Sequence, residues 1–261
     1  MKDYNGLKLG KLPFKEDKRD LKLARYIDKT VLPTPPESTN DYEAFVDYGM
    51  FLNNSIGDCA VAGPIHMLMI WLTQGGKKPE FVDDNALKTY EAISGYVPGD
   101  ESTDVGCSLR DVLKYWRKVG IPDKNGVMHK IGAFVQLNCK DHEEVKIAQY
   151  LFSAIDIGFM VPAYAMEQFQ NGDIWDVQTK NSEIEGGHCV IPSGYGTIKI
   201  LKVTKEGLWV ITWGKAQFMT WKFWDKYVDE AWAILDTEFL KNGKSPDGFD
   251  LKTLQADLKA L

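Results

Sequence analysis

The chain has 261 residues, of which 44% are hydrophobic, 26% charged and 12% aromatic; 31 Lys+Arg stand against 37 Asp+Glu, a formal charge of −6. This composition excludes a disordered, collagen-like or coiled-coil chain. The acidic balance leaves no overall basic footprint for nucleic acid. The longest apolar stretch, residues 67–72, falls far short of the ~20 residues that span a bilayer, so no membrane partner is expected.

Residues 1–49 read as an extended arm. No apolar signal segment opens the chain, which fits a cytoplasmic or virion-associated protein. Pro33, Pro35 and Pro36 hold the backbone extended. The arm is expected to wrap on the surface as a strand; a short propeptide is the alternative. Residues 59–73 form an apolar run too long for one strand and read as a buried helix between Gly57-Asp58 and Gly75-Gly76, with Pro64 expected to bend it. Helices follow at 85–94, 108–119 and 141–152; the second places Leu109, Val112, Leu113 and Trp116 on one face. The pattern then turns β-rich at 155–164, 188–195, 198–203 and 208–213. Trp221, Phe223, Trp224, Tyr227 and Trp232 read as a helix and strand packed into the core, and residues 248–261 as a short amphipathic helix. Helices first and strands second predict an α+β fold rather than an alternating parallel sheet.

The four cysteines, at 59, 107, 139 and 189, are too scattered for a disulfide scaffold. Cys139 and His142 have ligand-like spacing, but only the distant Cys107 and His129 could complete a site, so no metal or other cofactor is expected. Cys59 opens the buried helix, where the macrodipole favours thiolate. His188 follows Gly186-Gly187, whose bare backbone admits close approach and suits a base facing a cleft. His66 lies inside the apolar helix and is expected to pack there.

Cys59 and His188 are 129 positions apart, close to the roughly 130–150 between nucleophile and base in papain-like enzymes. Asn53 to Cys59 (Asn-Asn-Ser-Ile-Gly-Asp-Cys) looks like the Gln-x-Gly-x-x-x-Cys segment of that family. The helix from Asp104 to Ile121, with its Gly-Ile exit, is similar to one in bacterial members. Gly186-Gly-His-Cys-Val-Ile-Pro-Ser-Gly-Tyr195 looks like the base strand, Ile211-Thr-Trp-Gly214 like the Asn-Ser-Trp-Gly block, and Asp229-Glu-Ala-Trp-Ala-Ile234 like the closing strand. The chain thus resembles the papain-like cysteine peptidase superfamily, in a divergent bacterial or phage-encoded form.

The resemblance implies a papain-like two-lobed fold over residues 50–236: a helical lobe at about 50–152, then an antiparallel β-sheet or barrel lobe at about 153–236. Residues 237–261 would be a C-terminal extension. It implies a peptide or protein substrate, cleaved at an amide bond through a Cys59 thiolate with His188 as its partner. Asn53 would take the oxyanion position, and Trp213 would shield the base. The sequence departs from the family at three points. Asn53 is a methylene shorter than Gln, and Ala60 replaces an aromatic residue. Ile211 stands where an Asn orients the base; Thr212, the neighbouring polar candidate, is expected on the opposite strand face. These departures support an alternative, an impaired papain-like scaffold kept for binding or assembly, for instance as a phage virion component.

Overall fold

A helix with no polar face belongs in a core, and the run that opens at Cys59 behaves accordingly. It forms helix α1 (Cys59–Gln74), buried at every position from Cys59 to Leu68 and unbroken at Pro64. The structure, a computed structural model, describes residues 6–179, 182–237 and 248–260. Around α1 pack α2 (Asp83–Ser94) and α3 (Leu109–Lys118). Ser108 caps α3 by accepting the Asp111 N–H, and α3 buries the four apolar residues expected of it.

Strands β1 (Ile121–Pro122) and β2 (Met128–His129) pair on their own. The second lobe is framed by β3 (Ile131–Gln136), β4 (Ile155–Pro162), β5 (Ile184–Ile200), β6 (Val203–Thr212), β7 (Lys215–Thr220) and β8 (Val228–Asp236). They form one antiparallel sheet in the order β3-β8-β4-β5-β6-β7. Alternation along the strands sorts side chains to two cores. Val190, Val210, Ala231 and Ala233 join α4 (His142–Phe152), α5 (Ala163–Asn171) and α6 (Trp221–Tyr227), whereas Ile191, Ile211, Trp232 and Ile234 face α1–α3. The fold is α+β and two-lobed, as predicted.

Three expectations about elements need correction. The strand at 155–164 stops at Pro162, because Ala163 and Tyr164 begin α5. The strands at 188–195 and 198–203 belong largely to one strand, β5, which absorbs its irregularity as a register shift between Pro192 and Gly194. The third concerns the arm. Its residues 13–49 do run over the body, touching the sheet lobe through bridges Lys22↔Gln136 and Thr39↔Tyr195. Residues 7–12, however, pass between the lobes, where Lys11 bridges Cys107 and donates its N–H to Gly187 O. The C-terminal helix, Leu251–Ala260, packs against the arm: Ile27 bridges Phe249, and Tyr26 Oη donates to Asp257.

Candidate active site

Cys59 is the first residue of α1, one helical turn before Gly63 and on the same face. A Cβ on Gly63 would lie 3.1 Å from both Cys189 Sγ and Ile191 Cδ1, so the helix meets β5 there with little room for a side chain. This contact sets Cys59 beside β5, next to His188. A cavity of about 10 Å³ is lined by Cys59, His188, Asn53, Thr212 and Trp213, together with His66, Cys189 and Ile211. All the residues singled out from the sequence therefore converge. Asn53 is carried by a tight loop in which Phe51 (φ 48°) and Leu52 (φ 72°) are left-handed, a conformation costly for such side chains.

His188 is oriented differently from the sequence expectation. His188 Nε2 lies 2.7 Å from Thr212 Oγ1, and Nδ1 has no hydrogen-bond partner. Thr212 therefore faces His188, not away from it. Ile211 pairs with Ile191 across β5 and β6 and shares the α1 side with Cys189. His188 and Thr212 each sit one residue out of phase with that pair, so they share the other face. Trp213 and Gly214 form a two-residue hairpin loop, both left-handed (φ 42° and 78°), between the paired Thr212 and Lys215. The turn lays the Trp213 indole flat on the imidazole, ring centres 4.2 Å apart and planes 16° apart.

The arm fills what would be the opening. Lys8 O accepts from Asn53 Nδ2 (3.4 Å) and Trp213 Nε1 (3.3 Å). The Gly10 N–H reaches the Cys59 sulfur, while its carbonyl turns away to accept from the Cys107 N–H at 2.8 Å. A Cβ on Gly10 would lie 1.7 Å from Gly57 O, and one on Gly187 would lie 2.3 Å from Lys11 O. The glycines before His188 do admit a close approach, and it is the arm that makes it. Sealed from water, both titrating groups stay neutral. Burial pushes the Cys59 thiol up to about 12, against the backbone N–H groups of Cys189 and Gly10. Burial alone brings His188 down to about 3.

Several neighbours escaped the sequence reading. His66 packs in the helix as expected, but it also lines the cavity; Nε2 bonds Gly49 O at 2.9 Å, Nδ1 has no partner, and burial lowers it to about 4. Cys189 donates its thiol to Asp156 Oδ1 at 2.9 Å, and burial raises that acid to about 8. Lys11, with a side chain wholly removed from solvent, meets Asp229 and Glu230. The isolated Gly158 in an apolar strand was the available signal for such an approach. Among the described residues all four cysteines are free, no group of three or more His, Cys, Asp or Glu could hold a metal, and no helix is long and apolar enough to cross a membrane.

A helical lobe and an antiparallel sheet lobe, with the convergent residues where they meet, define the papain-like fold. No protein-family model matches the sequence, and no curated protein matches it. The structure is similar to xylellain, a cysteine protease from Xylella fastidiosa, at TM-score 0.67 and 17% identity over 91% of this chain and 99% of that one. It is also similar to proCathepsin B S9 from Trypanosoma congolense (TM-score 0.59, 13% identity, 82% and 81% of the two chains) and to a recombinant stem bromelain precursor (TM-score 0.59, 13% identity, 84% and 76%).

Proposed function

We propose that the chain is a papain-like cysteine peptidase, cleaving amide bonds through Cys59 and His188, whose site is closed by residues 7–12 of its own arm. One observation carries the reading: Cys59, His188, Asn53, Thr212 and Trp213 line a single cavity, with the imidazole bonded at Nε2 and open at Nδ1. With Nε2–H donating to Thr212 Oγ1, Nδ1 keeps a lone pair for the thiol proton. The thiolate adds to the substrate carbonyl. Asn53 Nδ2 and the Cys59 N–H at the open end of α1 stabilise the resulting oxyanion. His188 returns its proton to the departing amine, leaving a thioester. Water, deprotonated by the same imidazole, then releases the acid and restores the thiol. Trp213 covers one ring face and excludes solvent from it.

The structural neighbours support both halves of the proposal: xylellain is a cysteine protease, and the cathepsin and bromelain chains are unprocessed forms. Thr212 also weighs against an impaired scaffold, since His188 has a hydroxyl partner despite Ile211. The test uses the full-length chain carrying Gly10→Ala, which forces the arm off Gly57. It should hydrolyse a fluorogenic peptide library and take a vinyl-sulfone probe at Cys59. Adding Cys59→Ala should abolish both, and adding Cys107→Ala should abolish neither. Hydrolysis that survives Cys59→Ala would sink the assignment.

A further inference from the structure

The segment that closes the site carries a side-chain preference of its own. Lys11 Nζ, without solvent exposure, lies 2.7 Å from both carboxylate oxygens of Asp229 and 3.2 Å from Glu230 Oε1. The other Glu230 oxygen accepts the Trp232 indole N–H at 2.9 Å, which fixes that carboxylate in place. Asp156, fully buried on β4, adds a third acid; its Oδ2 has no hydrogen-bond partner, and it interacts electrostatically with both Glu230 and Lys11.

The recess also has the shape of a lysine. Gly158 pairs with Glu230 across β4 and β8, and a Cβ there would lie 2.1 Å from Lys11 Cε and 2.7 Å from Cδ. The backbone around Lys11 is held by bonds any extended peptide can make: Lys11 N–H to Gly187 O (3.0 Å), Leu12 N–H to Cys107 O (2.9 Å) and Cys107 N–H to Gly10 O (2.8 Å). Sequence-blind backbone bonds joined to one selective recess are the usual means of reading a peptide. An acidic recess emptied of its cation is costly, so the arm's departure leaves a site that favours another cation.

We propose, resting on the peptidase reading above, that the recess formed by Asp229, Glu230 and Gly158 is the enzyme's substrate side-chain pocket and selects lysine or arginine. The arm closes the site by offering the residue the pocket is built to hold.

The test measures binding apart from turnover. Full-length chains opened by Lys11→Ala or, as a second opener, Gly10→Ala are titrated with fluorescent peptides of residues 6–14 carrying Lys, Arg, norleucine or Glu at position 11. Lysine and arginine peptides should bind about tenfold or more tighter than norleucine, and Glu230→Gln in the same chains should remove most of that gap. Fluorogenic amides with the same residues should be cleaved in the same order. Equal binding of lysine and norleucine peptides, or no binding of either, overturns the pocket even if amides are hydrolysed. Lysine-selective binding without any Cys59-dependent hydrolysis keeps the pocket and overturns the peptidase reading instead.

Discussion

Two stretches of the same arm are fixed by ion pairs, and the pairs do different things. Along residues 17–29 the pairs made by Arg19 and Lys29 lie near the surface: Arg19, 74% exposed, reaches Asp17 at 2.6 Å, and Lys29 reaches Asp141 at 2.6 Å and Glu143 at 3.1 Å. Such pairs are worth little, because water solvates the partners almost as well when apart. Lys11 is wholly buried against Asp229 and Glu230. There the pair gains little over a well-packed apolar contact, yet removing one partner strands the other without water. The outer stretch is stapled and the inner stretch is selected. Charge counts along the sequence cannot tell them apart; burial does.

The contrast can be broken at its inner end first. Gly10→Ala should raise the rate of Cys59 alkylation near neutral pH on the order of a thousandfold, as the thiol returns from about 12 toward its ordinary range; an unchanged rate would show that the arm does not seal the site. Lys11→Ala should speed amide hydrogen exchange at Leu12 and Cys107 about a hundredfold, because the stranded carboxylates are relieved only when the arm lifts. Thr212→Val, in the opened chain, should lower kcat/KM about tenfold to a hundredfold while Thr212→Ser retains most of it, the loss of one buried hydrogen bond.

The pH dependence sharpens the same boundary between sealed and open. His66 and His188 are held near 4 and 3 from an ordinary 6.5, so the unfolded chain binds protons that the folded one refuses below 6.5. Each histidine should cost about 1.4 kcal/mol of stability per pH unit from 6.5 down to its folded value. Asp156, raised to about 8 from 3.8, works the other way: its stabilisation is complete below 3.8 and is lost as pH rises through 8. In urea unfolding His66→Gln should therefore lose less stability than the parent chain as pH falls below 6.5, and both imidazoles of the parent should still be neutral by NMR at pH 5. The smallest effect belongs to the outer stretch. Arg19→Ala should leave the urea midpoint and the rate of Cys59 alkylation unchanged, because water solvates the separated partners as well as the pair does.

Much of the site was legible because it is written in short segments. Cys59 sits at a helix start, His188 behind two glycines, and Asn53 and Trp213 at fixed offsets from them. The facing of Thr212 was not legible, because it depends on the pairing Ile191↔Ile211, which puts Ile211 on the Cys189 side and Thr212 on the His188 side. The course of residues 7–12 was not legible. It depends on contacts between residue 11 and residues 107, 187 and 229, which no local pattern encodes, and only Gly158 hinted at them. Helix α5 was hidden because the apolar run of β4 continues across Pro162 into it. Residues 238–247 of the expected C-terminal extension lie outside the described residues.

The β6–β7 hairpin puts the two residues that govern the imidazole next to each other, one at the last paired position and one at the first residue of the loop. Their placement has two different origins. Lengthening that loop by a single residue would carry the indole off the ring while the hydroxyl, set by the register of β6, stayed against Nε2, so the imidazole would gain access to water without losing its orientation.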